Sequence, residues 1–168
     1  MIKEIFFAGG CFWGTEQYLK LIAGVVATEV GFANGNLPNP TYEQVCRQNT
    51  GYAETVRVKY DPDVISLEKL VEIYFKSINP TSVNRQGNDI GSQYRTGIYY
   101  SDKTDFFAVK RVYDKVEIQV GQPLAVELKP IKNFYPAEEY HQDYLEKNPN
   151  GYCHISPELL RYAAEANK

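Results

Sequence analysis

The chain opens on a short apolar run, Ile2 to Ala8, rich in Ile and Phe and stopped by Gly9-Gly10, a pattern that predicts a buried strand. From Cys11 the apolar positions take helical spacing, with Leu19, Ile22 and Ala23 in register and Gly24 as the stop. Val26, Thr28, Val30 and Phe32 alternate as a second strand that ends at Asn34-Gly35. After a loop, Thr41-Tyr42-Glu43-Gln44 has the form of a capping box for a short helix. The clearest alternation follows, with Glu54, Val56, Val58 and Tyr60 on one face and Thr55, Arg57 and Lys59 on the other. Ser66 caps a periodic helix through Leu67, Leu70, Val71, Tyr74 and Ile78, closed by Asn79-Pro80.

Residues 80–92 read as a long loop, a length that usually accompanies function. Tyr94 to Tyr100 predicts a strand, and Ser101 starts a helix carrying Phe106, Val109, Tyr113 and Val116 on one side. Leu124 to Leu128 reads as another strand, and Pro136 suits the first turn of a helix running to Lys147. After a loop over 148–155, Ser156-Pro157 opens a last helix. Units of βαβ type mixed with strands that follow short loops predict a sheet covered by helices, a compact α/β or α+β sandwich. At 168 residues the chain is expected to be one domain, 1–168, without repeats or a linker.

Composition narrows the function. Apolar residues make up 43% and charged ones 23%, which excludes a disordered chain. The net charge of −3 and the lack of a Lys/Arg cluster argue against nucleic acid and against a membrane surface. Three cysteines leave one over after any pairing, so they read as free thiols in a reducing compartment. The longest weakly polar run, Ile5 to Gly14, is far short of the roughly 18 residues of a membrane helix. Ala8-Gly9-Gly10-Cys11 faintly resembles a lipid-attachment site, but Glu4 and the brevity of the apolar stretch oppose a secretion signal. The expected address is the cytoplasm.

Cys11 stands where a strand passes to a helix through two glycines. Backbone N–H groups at a helix start favour a thiolate there, although an inert buried Cys fits the position equally well. Phe12 and Trp13 follow, pointing about 100° apart on a helix, so both do not fit one core stripe. Trp13, the only Trp, would make a wall for an apolar or cationic group. Glu54 shares the apolar face of its strand; desolvation there raises a carboxyl pKa and suits a general acid, unless a hidden Lys or Arg pairs with it. Tyr42 and Tyr94, two of 14 tyrosines, flank candidate loops and offer donors to a substrate oxygen, although packing is the commoner role. Asp89 lies in Gly87-Asn88-Asp89-Ile90-Gly91, where an Asx-turn competes with a site role.

Cys153, in a glycine-containing loop, has the freedom to reach a partner sulfur, whereas Cys46 in its short helix looks structural. No Cys-x-x-Cys pair or paired His spacing suggests zinc, and no phosphate-binding glycine loop is present. Three readings stay open on the residues alone: a thiol enzyme, a Cys–His hydrolase using His141 or His154, and a binding module for methionine-like or methylated side chains.

Gly10-Cys11-Phe12-Trp13-Gly14 closely resembles the signature of the methionine sulfoxide reductase A family. The resemblance continues through Thr41–Cys46, Thr50–Glu54, Gly87–Arg95 and Ala137–Leu145, in the family's order. It implies a two-layer α/β sandwich around a mixed sheet, an elaborated ferredoxin-like α+β fold. It also implies reduction of methionine S-sulfoxide, free or in proteins, with Cys11 as nucleophile, Glu54 as acid and Cys153 as the resolving thiol. Phe12 and Trp13 would hold the substrate methyl, and Tyr42, Tyr94 and Asp89 would surround the oxygen. Thioredoxin would regenerate a monomeric enzyme that needs no metal or organic cofactor. Tyr52 departs from the pattern, since many relatives carry His there, next to Glu54. A single C-terminal cysteine implies one resolving step rather than a relay.

Overall fold

The computed structural model describes residues 1–46 and 50–168. Four strands build the middle of a six-stranded sheet: β1 (Lys3–Gly9), β2 (Val25–Ala33), β3 (Ala53–Tyr60) and, after a gap in sequence, β6 (Thr96–Tyr100). Their spatial order is β6-β1-β3-β2, all neighbours antiparallel. With α1 (Phe12–Lys20) between β1 and β2 and α3 (Leu67–Phe75) between β3 and β6, this is the ferredoxin-like βαββαβ arrangement. The fold is α+β.

The edges are β7 (Glu127–Pro130), parallel to β6, and β8 (Phe134–Pro136), antiparallel to β2. Pro130 and Phe134 are joined by at most about 14 Å of chain. Laid flat, the outer strands of six would stand about 24 Å apart. The sheet is therefore curled, so that one short connection closes its two edges behind it. Behind the sheet Phe6, Ala8, Ala33, Ala53 and Tyr99 form a small apolar cluster under Ile131 and Phe134. This cover explains why Thr55, on the polar side of the β3 alternation, is buried, while Lys59 at the other end is exposed.

The main core fills the concave face, where Ile5, Phe7, Val56 and Val58 meet Tyr18 and Leu19 of α1, Leu70 and Tyr74 of α3, and Val109 and Val112 of α4 (Asp105–Val120). Local sequence rules are obeyed at the helix starts. Thr41 and Gln44 exchange side chain-to-backbone bonds of 2.9 and 3.1 Å ahead of α2 (Tyr42–Cys46), the reciprocal capping box. Ser66 accepts from Lys69 N–H before α3, and Ser156 from Leu159 N–H before α6 (Pro157–Glu165), with Pro157 in its first turn. Among the described residues no helix is long and apolar enough to cross a membrane.

Four expectations need correction. The loop over 80–92 contains a two-stranded hairpin, β4 (Arg85–Gln86) and β5 (Asp89–Ile90). Tyr94 belongs to a 3₁₀ turn, Ser92–Tyr94, ahead of β6 rather than to the strand. The strand expected over 124–128 is shifted to β7. The helix expected from Pro136 is absent: Pro136 ends β8, and only a 3₁₀ turn at Glu139–His141 and the short α5 (Tyr144–Lys147) follow. Tertiary partners override the local signal there. The Gln142 amide pairs with Val30 like an extra strand residue, accepting its N–H and donating to its carbonyl at 2.8 Å each. Asp143 then turns left-handed at φ 52° and gives its N–H to Glu16.

Candidate active site

The site is built where β1 ends. Gly10 has φ +95°, and a Cβ there would lie 2.9 Å from Gln86 Cβ and 3.1 Å from His154 Nε2, so only glycine fits the turn. It delivers Cys11 to the N-cap of α1 with its sulfur facing the N–H groups of Trp13 and Gly14. That is the helix-start environment expected to favour thiolate. Burial outweighs it: Cys11 is 6% exposed, and desolvation, then the charge of Glu54, push its thiol well above the usual range.

Glu54 enters from β3, on the concave face set by strand alternation, and is 1% exposed. Its Oε1 accepts the N–H of Phe12, the residue after Cys11, at 3.1 Å, which brings the carboxyl to the helix start that carries the thiol. Burial pushes its pKa up to about 8, against the lowering effect of the bonds from Phe12 and Gln93. Among the described residues no Lys or Arg pairs with it, and the charge of Asp89 raises it further. Oε1 takes the shorter bond and Oε2 only a 3.5 Å contact from Gln93, so Oε2 is the oxygen left to carry the proton.

Sequence reasoning passes over Gln93. Its Nε2 lies 3.5 Å from Glu54 Oε2 and 3.5 Å from Cys46 Sγ, so the side chain ties the acid to the short helix α2. Cys46 thereby lines the surroundings of the acid. A polar Gln placed just after a glycine-rich loop is the one signal that points to it.

The aromatic residues divide into two roles. Phe12, at 0% exposure, packs in the core against Phe32, Tyr42 and His141. Trp13 is half-buried, stacks on Tyr144 with ring centres 3.9 Å apart, and gives its Nε1–H to His141 Nδ1 at 2.9 Å. His141 also packs 4.3 Å from the Tyr42 ring, so it fixes both aromatics at once. Tyr42 and Tyr94 are half-buried, and burial and then the charge of Glu54 raise both phenols. Asp89 accepts the Tyr152 hydroxyl at 2.8 Å. Tyr52, the departure from the family pattern, points elsewhere, since its hydroxyl donates to the Leu37 carbonyl.

Cys153 completes the group from the C-terminal loop. Its sulfur lies 3.3 Å from the point where a Cβ on Gly14 would stand, beside the same helix turn that faces Cys11. Burial raises its thiol, and all three cysteines are free. The hydrolase alternative lacks its dyad: among the described residues no hydrogen bond joins Cys11 to a histidine, His141 being bonded to Trp13 and His154 to the Gly9 carbonyl. Cys11, Phe12, Trp13, Tyr42, Glu54, Asp89, Tyr94 and Cys153, drawn from far-separated segments, thus meet around one helix start.

An α+β protein with a buried thiol, a neutral acid and an aromatic wall at one helix N-terminus belongs to the class of thiol-dependent enzymes. Comparison with known proteins makes this specific. The profile of the family described as peptide methionine sulfoxide reductase matches residues 3–168. The peptide methionine sulfoxide reductase MsrA of Clostridium acetobutylicum is 55% identical over 160 residues, 95% of this chain and 99% of that one. The crystal structure of Mxr1 from Saccharomyces cerevisiae in reduced form superposes with a TM-score of 0.87 at 39% identity, covering 92% of this chain and 91% of that one. Mxr1 in complex with Trx2 matches with a TM-score of 0.61 at 28% identity, covering 85% and 84%. The chain belongs to the peptide methionine sulfoxide reductase family.

Proposed function

We propose that Cys11, Glu54 and Cys153 act together in the reduction of methionine S-sulfoxide, free or within proteins, and that residues 1–168 form one catalytic domain. The observation that carries this reading is the Phe12 N–H bond to Glu54, which ties a protonated acid to the helix turn bearing a thiol that faces two backbone N–H groups. A sulfoxide sulfur is a poor electrophile and its oxygen a poor leaving group until the oxygen is protonated. Glu54 gives its proton to that oxygen, while the Tyr42 and Tyr94 hydroxyls donate to it, with Asp89 beside them holding the Tyr152 hydroxyl. The positive charge that develops on sulfur meets the face of Trp13, worth ~0.5–2 kcal/mol, with Phe12 supporting the wall from within the core.

The burial that keeps Glu54 protonated also keeps Cys11 a thiol, so the reactive state holds both protons. As Cys11 attacks sulfur, its own proton restores the carboxyl. The hydroxyl then passes from the methionine sulfur to the Cys11 sulfur as the bond between the two sulfurs breaks, so that methionine leaves and the thiol has become a sulfenic acid. The Cys153 thiol attacks that sulfur; its proton leaves with the hydroxyl as water, and a Cys11–Cys153 disulfide forms. A thioredoxin, the partner class suggested by the Mxr1–Trx2 complex, reduces it by dithiol exchange and returns both thiols. The free thiols and this reductant support a cytoplasmic address.

Single-turnover release of methionine tests the assignment. Cys11→Ser releases none, and Cys153→Ser releases one per chain but does not turn over with thioredoxin. Methionine release by the first variant, or full thioredoxin-linked turnover by the second, overturns the corresponding role.

A further inference from the structure

Residues 151–155, which carry Cys153, have no regular secondary structure, and among the described residues the N–H groups of Tyr152 to Ile155 make no backbone hydrogen bond. Something else must keep this strap on the helix start. Ile155, buried in the main core, anchors its far end, and two long-range side-chain bonds hold the part that carries Cys153, from Tyr152 to Asp89 and from His154 to Gly9. The second reaches the turn that presents Cys11. His154 Nε2 stands 2.9 Å from the Gly9 carbonyl oxygen, two residues before the nucleophile. Because a carbonyl accepts only, Nε2 must carry the hydrogen and Nδ1 the lone pair. Nδ1 is buried, has no hydrogen-bond partner among the described residues, and lies 2.7 Å from where a Cβ on Gly14 would stand. The Cys153 sulfur lies 3.3 Å from the same point. Imidazole and thiol therefore rest side by side on the bare Cα of Gly14, whose N–H faces the Cys11 sulfur.

We propose that His154 is a positioning residue for the resolving step: its bond to Gly9 seats Cys153 on the helix turn that carries Cys11. The proposal rests on Cys153 being the resolving thiol and adds the group that places it. Disulfide formation needs the two Cα atoms within about 7 Å with suitably directed Cβ atoms, and an unseated loop spends little time in that geometry. The reduction step does not use the strap's thiol, so a defect in seating shows after methionine has left. Glycine at position 14 is part of the same device, because any side chain there would push both His154 and Cys153 away.

The test separates the two chemical steps by quenched-flow mass spectrometry without reductant, with dimedone to trap sulfenic acid. H154A should still release one methionine per chain, form the Cys11–Cys153 bond at least tenfold more slowly, and accumulate the dimedone adduct on Cys11. H154Q, whose amide nitrogen falls near the place of Nε2, should recover most of the rate, whereas H154N, whose amide falls near Nδ1, should not. A disulfide that forms in H154A at the parent rate overturns the proposal. So does a loss of methionine release equal to the loss of disulfide, since His154 would then act on the nucleophile's turn. Absence of the Cys11–Cys153 bond in the unsubstituted chain overturns the resolving assignment itself, which distinguishes the two failures.

Discussion

Two glutamates are buried to almost the same degree, in neighbouring parts of the molecule, with different consequences. Glu16, on α1, is 2% exposed, and Glu54, on β3, is 1% exposed. Around Glu16 the lone pairs are answered: Thr28 donates to Oε2 at 2.8 Å, the Asp143 N–H donates to Oε1 at 2.9 Å, and the Lys20 charge lowers its pKa. Burial still raises it, but the group is a joint between α1, β2 and the turn before α5. Around Glu54 the described residues supply one short donor bond and no cation, and burial carries the pKa to about 8. Burial alone does not make an acid. A buried carboxyl becomes a proton donor when its second oxygen is left without a close donor or cation and faces chemistry that needs a proton.

The largest test of that contrast is the isosteric pair Glu54→Gln and Glu16→Gln. Removing a general acid is expected to slow single-turnover methionine release by about 10²–10⁴ in the first variant. The second should stay within about twofold, because its carboxylate is a structural acceptor. Equal losses in both variants would remove the distinction between them.

The next effect is in pH. The unsubstituted chain should lose single-turnover rate as Glu54 gives up its proton above about pH 8, tenfold per unit. The Glu54→Gln profile should be flat there, and Glu16→Gln should keep the falling limb. A limb that persists in Glu54→Gln belongs to another group.

Stability should follow the same proton. Folded Glu54 holds it to about pH 8, while the unfolded chain releases it near the ordinary value of 4.5. The stability present below pH 4.5 is therefore lost progressively up to pH 8, and Glu54→Gln should lack that portion of the slope in urea titrations. Glu16→Gln should instead be destabilised near neutral pH by about 1–3 kcal/mol, since its amide presents a donor where Thr28 or the Asp143 N–H also donates. The smallest change is Thr28→Val, expected to cost about 1 kcal/mol in the same titration, with single-turnover activity intact.

Much of this site is legible in the chain itself, because its elements follow short-range rules. The glycine pair before Cys11, the alternation that puts Glu54 with Val56 and Val58, and the caps at Thr41, Ser66 and Ser156 are all consequences of residues within a few positions of one another. The hairpin at residues 85–90 and the broken segment after Pro136 are not legible in this way. In the second, the competing partners are Val30 and Glu16, more than 100 positions away, and helix signals near Pro136 carry no information about them. Gln93 escapes for the same reason, as does the part His141 plays in place of a hydrolase base: each is defined by what it touches across the fold, Glu54 and Cys46 for one, Trp13 and Tyr42 for the other.

By itself the sequence determined most of the kinds of element, the face on which Glu54 lies and the position of Cys11 at a helix start, since backbone sterics and burial periodicity act locally. Tertiary structure alone decided that the sheet curls until its edges meet, that Glu54 keeps its proton while Glu16 becomes a joint, and that Cys153 comes to rest beside the helix of Cys11. Proton affinity depends on solvent exclusion and on every neighbouring charge and donor. Those neighbours come together only when distant segments fold against each other.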